Sequence, residues 1–281
     1  MRDNILASHG MSFIKNIFLY LVPSLLILSH AYAEQSESKS TLARDDERIL
    51  ISEVKLPESD LLSAEARKIL SRIREEGKKI TCQGKLFGAN EEEILAFRKC
   101  HDDLIAPTMV AKHRAIYKVS IEPKLIRGIY TELISPSDGV SPENSNRILI
   151  NLHGGGFVVG ARVLGQVESI PIAATGKIRV LSIDYRQGPE HKFPSASEDV
   201  AIIYKELLKE YEPQNIGIYG CSAGGRLTAQ AVAWFQKERL PAPGAVGMFC
   251  AAAMQYLMGD MWYVNTALLG LDLSASSADS P

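Results

Sequence analysis

Leu62, Ala66, Leu70 and Ile73 recur at helical spacing with Ile69 beside them, so residues 63–79 read as a helix with one apolar face. Asn90 and Glu93 stand three apart at the head of a second helix ending near Lys99, the spacing at which cap and third residue satisfy each other's backbone N–H. The period then drops to two over residues 117–121 and 128–134, the pattern of a hairpin. Short β-prone runs follow at residues 148–152, 178–183, 215–219 and 245–249. Helical patterns separate the later ones: Val200, Ile203, Tyr204 and Leu207 within 197–211, and Leu227, Ala231 and Trp234 within 226–235. Strand–helix alternation of this kind predicts an α/β fold, a mostly parallel, doubly wound sheet with helices on both faces. Residues 254–273 read as further helical material before a tail rich in Ser and Ala.

The first 33 residues stand outside this alternation. Lys15 precedes a 12-residue apolar stretch at 17–28, and Ala31-Tyr32-Ala33 closes it, the plan of a cleavable secretory signal. The stretch is shorter than the ~20 residues of a membrane span, and Pro23 interrupts it. Export to the periplasm or medium is therefore expected, with no stable span after cleavage. The expected organisation is signal peptide at 1–33, polar leader and helical cap at 34–115, and α/β core at 116–281. Composition changes little in this picture. The 281 residues are 46% hydrophobic and 23% charged with a net charge of −2, and no basic stripe suggests a nucleic-acid partner. No cluster has metal spacing. An exported chain favours disulfides, and Cys82 and Cys100 flank the helix that begins at Asn90, so a Cys82–Cys100 bridge is expected. Cys221 and Cys250 read as buried thiols.

Candidate chemistry lies at three strand ends. Gly220-Cys221-Ser222-Ala223-Gly224 falls where the strand at 215–219 meets the helix that follows. A sharp strand-to-helix turn holds its central residue in a strained conformation and brings Gly220 and Gly224 together, where only very small residues fit. It also sets Ser222 and the Ala223 N–H at the positive end of a helix. His153-Gly154-Gly155-Gly156-Phe157 follows the strand at 148–152. Glycines there allow close backbone approach, and two of their N–H groups with that of Ala223 would hold an oxyanion. A phosphate-cradling loop would carry a following Lys-Ser/Thr or a G-x-G-x-x-G pattern, and neither occurs. The third strand end, Asp184-Tyr185-Arg186-Gln187-Gly188-Pro189-Glu190, is a proline-punctuated loop.

Together these motifs resemble the hormone-sensitive-lipase-like branch of the α/β-hydrolases, the bacterial carboxylesterases, over about residues 117–281. The resemblance implies Ser222 as nucleophile, Gly154, Gly155 and Ala223 as oxyanion donors, and a helical cap over the acyl site. It implies a small-molecule ester or lactone of short-to-medium acyl length as substrate, and no cofactor. Two departures stand out: Cys221 replaces the family's usual Asp, and Gln187-Gly188 replaces Leu-Ala. His153 reads as a loop-anchoring hydrogen bonder, His191 as part of a structural loop, and His101 and His113 as ordinary polar residues of the cap.

In this fold the triad runs in the order Ser, acid, His, yet no histidine follows Ser222. Only 59 residues follow Ser222, and each strand-plus-helix unit takes roughly 30. The expectation is a C-terminally truncated, inactive or weakly active esterase. Asp260, Asp272 and Asp279 are carboxylates with no histidine to orient. The alternative is a non-catalytic small-molecule binder, as in the gibberellin receptors, relatives that have lost the triad histidine.

Overall fold

The computed structural model describes residues 59–77 and 90–253. The expected signal and leader, Cys82, the tail helix and the three tail aspartates lie outside the described residues. Helix α1 (Ala64–Gly77) belongs to one compact unit, and every other described element to a second. In α1 the Ser63 hydroxyl caps the Ala66 N–H at 3.2 Å. The expected face of Leu62, Ala66, Ile69, Leu70 and Ile73 is half-buried.

The second unit begins with a helical run. Asn90 and Glu93 close the expected capping box on α2 (Glu91–Cys100), each side chain accepting the other's backbone N–H at 3.0–3.1 Å. The run does not stop near Lys99. It widens into a π turn over His101–Ile105 and continues as α3 (Ala106–Ile116). Pro107 has no N–H to give the Asp103 carbonyl, and the wider turn accommodates it while Ala106 N–H reaches back to His101 O.

Six strands form one sheet: β1 (Val119–Ile126), β2 (Ile129–Pro136), β3 (Ile148–Leu152), β4 (Arg179–Ile183), β5 (Ile216–Cys221) and β6 (Ala245–Phe249), in the order β1-β2-β4-β3-β5-β6. β1 and β2 form the expected hairpin, turning at Arg127 and Gly128, both with positive φ. β2 meets β4 antiparallel, and the rest of the sheet is parallel.

The strands' period of two sorts side chains between the faces. Ile148, Ile150 and Leu152 of β3, Leu181 and Ile183 of β4, and Ile216 and Ile218 of β5 pack against α5 (Ser195–Leu207) and α6 (Ala223–Lys237). Tyr204 of α5 stacks on Phe235 of α6 with ring centroids 4.2 Å apart. Fully burying side chains of this size contributes about 1.5–3 kcal/mol each. The other face is covered by α4 (Val163–Gly176), with α3 beyond it through Val110, Val167 and Ile170. The alternating pattern thus yields the doubly wound sheet expected of it.

Helix α4 is absent from the sequence reading. Its apolar residues show no helical stripe, and it carries Gly165 and Pro171. Pro171 leaves the Val167 carbonyl without its intrahelical donor, and His113 of α3 supplies one through Nδ1 at 2.9 Å. His113 is therefore not an ordinary polar residue: it is 6% exposed, and burial lowers the pKa of its imidazole. His101 is likewise buried, its Nδ1 2.7 Å from Asp102 Oδ1.

Candidate active site

The site lies where β3 and β5 end side by side. Ser222 adopts φ 55° and ψ −119° between β5 and α6, a conformation a side chain rarely takes. Its neighbours permit it by having no side chains. A Cβ on Gly220 would lie 2.3 Å from Leu152 O, and one on Gly224 would lie 1.8 Å from the same oxygen. β6 contributes a further fastening, since Phe249 O accepts the Ser222 N–H at 2.8 Å. Ser222 is half-buried. Among the described residues, no histidine or carboxylate is hydrogen-bonded to its hydroxyl.

The glycine loop is held against this elbow. A Cβ on Gly154 would lie 2.9 Å from Cys221 O and 3.5 Å from Ser222 Cβ. Gly155 and Gly156 take φ of 113° and 61°, and Gly155 O accepts the Val158 and Val159 N–H groups at 3.0 Å. His153 is fully buried and stacks on Tyr185 at 4.5 Å, while Tyr185 Oη donates to His153 O at 2.7 Å. Burial pushes its imidazole below the ordinary value, which keeps it neutral. His153 Nδ1 lies 2.7 Å from Gly154 O within the loop.

The expectation for Gly154 is corrected. Its N–H donates to Glu168 Oε1 at 2.8 Å, behind the loop, so it has no free hydrogen for a bound oxyanion. Among the described residues, the N–H groups of Gly155, Gly156 and Ala223 have no protein acceptor. Ala223 owes this to its place as first residue of α6.

Glu168 is the main residue the sequence reading missed. It sits on α4, 8% exposed, and also accepts the Asn151 side-chain amide at 2.8 Å; Asn151 Oδ1 in turn accepts from Ser182 Oγ at 3.0 Å. Burial raises its pKa, against the pull of its donors Gly154, Asn151 and Cys221, to about 7. The one sequence signal for it is a lone acid in the apolar run of 167–172.

The loop after β4 is a scaffold. Arg186 pairs with Asp199 on α5 at 2.8 Å, and its backbone N–H donates to the same carboxylate. Gln187 donates to Val159 O at 2.9 Å, and Gly188 N–H to Phe157 O at 2.9 Å. Arg98 of α2 ties the two loops together by donating to Val158 O, Gly188 O and the Glu190 carboxylate. Asp102 adds a bond from the Gly160 N–H at 2.9 Å. The run of residues 91–116 thus backs the glycine loop. His191 is exposed. Cys221 is buried, as expected, whereas Cys250 is exposed, and both are free. The expected partner of Cys100, Cys82, lies outside the described residues. Among the described residues no group of three metal-ligating side chains occurs, and no helix is long and apolar enough to cross a membrane.

Residues 149–266 match the family model for the alpha/beta hydrolase fold. The chain is 30% identical to the esterase E25 and superposes on its crystal structure with a TM-score of 0.59, over 78% of this chain and 65% of that one. Against an esterase from the bacterial hormone-sensitive lipase family the values are 26% and 0.50, over 66% and 56%. The versiconal hemiacetal acetate esterase stcI of Emericella nidulans is 29% identical over 109 residues, 39% of this chain and 37% of that protein. The chain spans less than half the length of the curated relatives it matches, 47% and 37% for two of them.

Proposed function

We infer that this chain, an α/β-hydrolase like the esterases of the hormone-sensitive-lipase family, carries the nucleophile and oxyanion machinery of a serine carboxylesterase. The observation that carries this reading is the strained Ser222 between two obligatory glycines, beside three N–H groups without an acceptor among the described residues. Ser222 Oγ attacks the carbonyl carbon of an ester while a base takes its proton. The carbonyl oxygen becomes an oxyanion held by the N–H groups of Gly155, Gly156 and Ala223, and removing one such donor typically costs about 10²–10³ in kcat. The alcohol leaves with the proton, and water releases the acid from the acyl-serine. Esters or lactones of short-to-medium acyl length are the proposed substrates. The esterase relatives support the class.

The base is the part not found among the described residues, and no histidine follows Ser222 in this chain. Without one, catalysis falls to what the oxyanion hole and binding supply. The alternative is a small-molecule binder that does not turn its ligand over. A fluorophosphonate and a p-nitrophenyl ester separate these readings. The expected result is slow labelling at Ser222, abolished in Ser222→Ala, with ester turnover orders of magnitude below the ~10 s⁻¹ typical of enzymes. Labelling that persists in Ser222→Ala would reject the nucleophile. Turnover near 10 s⁻¹ would reject the missing base, and tight binding of an ester analogue with no labelling would favour the binder.

A further inference from the structure

Two cysteines meet at the carboxyl edge of the sheet, one of them adjacent to the nucleophile. Cys221 is the last residue of β5, 8% exposed. Cys250 follows β6 directly and is exposed. β5 and β6 run parallel with Cys221 opposite Phe249, so Cys250 lies one step past the register partner. Parallel strands stand about 4.8 Å apart and rise about 3.3 Å per residue. The two Cα atoms are then roughly 5.8 Å apart, within the usual span of a disulfide. Alternation along a regular strand would turn successive side chains to opposite faces. Cys250 leaves that pattern through a left-handed backbone, φ 53°, so its side chain is not bound to the face opposite Cys221, and the two thiols are near enough to interact electrostatically.

Both sides of Cys250 are fastened to the elbow. Phe249 O accepts the Ser222 N–H at 2.8 Å, and Ala251 Cβ lies 2.8 Å from where a Cβ on Gly225 would stand. The pair is therefore held on packed backbone, with one sulfur open to solvent and the other behind it.

We propose that Cys221 and Cys250 are a thiol pair oxidised to an intramolecular disulfide by exchange with a small-molecule disulfide. The inference goes beyond the acyl-transfer reading and does not depend on it. The exposed Cys250 thiolate attacks one sulfur of the reagent, forming a mixed disulfide and expelling one thiolate, which takes up a proton. The Cys221 thiol then gives its proton to solvent and attacks the Cys250 sulfur, expelling the second reagent thiolate. One reagent disulfide is reduced to two thiols, and two protein thiols are oxidised to one disulfide. Burial and the neighbouring Glu168 charge raise the Cys221 thiol pKa, so the second step is the slow one.

The test is a time course of the purified chain with oxidised glutathione, quenched in acid, alkylated and mapped by peptide mass spectrometry. A glutathione adduct on Cys250 should appear first and then give way to a linked Cys221–Cys250 peptide pair. Cys221→Ser should stop at the adduct. Cys250→Ser, a change at an exposed position, should leave Cys221 unmodified over the same period. The oxidised protein should melt several degrees above the reduced one. A wild-type map in which Cys221 remains a free thiol, whatever the state of Cys250, overturns the proposal. So does direct glutathione addition to Cys221 in Cys250→Ser. The same map reads the proposed Cys82–Cys100 bridge separately.

Discussion

Gly224→Ala should yield little folded protein, with a loss of stability above about 3 kcal/mol. The added Cβ would stand 1.8 Å from Leu152 O and 2.6 Å from His153 O. Both are backbone atoms, so no flexible side-chain end can swing away. Leu152 is also paired on both sides, with Ile183 of β4 and Gly220 of β5. Relief would require moving the middle of the parallel sheet or pulling α6 off it, and packed interiors resist both. Gly188→Ala is the matched control: the nearest atom to its Cβ is Val158 Cγ1 at 3.5 Å, an ordinary contact, and its φ is not left-handed. Denaturant midpoints of the two variants decide the matter. A Gly224→Ala protein that unfolds at the wild-type midpoint would mean that the elbow does not pack on β3 as described.

The second large effect is a pH dependence of stability set by Glu168. Its carboxyl is pushed up to about 7 in the folded chain, against about 4.3 in an unfolded one. Below about pH 4 both states hold the proton, and the stability linked to this group is fully present. As pH rises toward 7 the unfolded chain loses the proton while the folded chain keeps it, so stability falls; by pH 8 the loss is complete. A displacement of this size corresponds to about 4 kcal/mol. Glu168→Gln cannot ionise, so its unfolding free energy should vary less between pH 5 and 8 than that of the wild type. The slope is the diagnostic, because the Gln amide also presents donors to Gly154 and Asn151 and lowers stability at every pH. Glu132, buried and likewise raised by burial, contributes a slope to both proteins and cancels in the comparison. Equal slopes in the two proteins would show that Glu168 does not carry its proton to higher pH on folding.

Much of the site was legible because its signals are local. The glycines at 220 and 224 flank a serine between a β-prone run and a helical one, and the steric reason for them lies within five residues. The glycine loop announces itself in the same way at the end of β3. The Asn90–Glu93 box and the strands of the parallel sheet rest on spacing alone, and they form where that spacing puts them. By contrast, α4 was illegible because a helix buried on most sides has no polar face to mark its period, and Pro171 argues against it locally. The helix survives because His113, 54 residues earlier, serves the carbonyl that Pro171 leaves open.

The misassigned Gly154 donor follows from the same gap. A run of three glycines says that a backbone can approach a ligand; it does not say which N–H groups face that ligand. Glu168 settles this, and it reaches Gly154 only because α4 crosses behind β3. By itself, then, the sequence determined the α/β layering, the strained serine and the loop beside it, since each follows from steric rules acting over a few residues. Only the tertiary structure decided which N–H groups stay free, which histidines are buried and which cysteines meet, because those depend on contacts between elements whose separation in the chain carries no local signal.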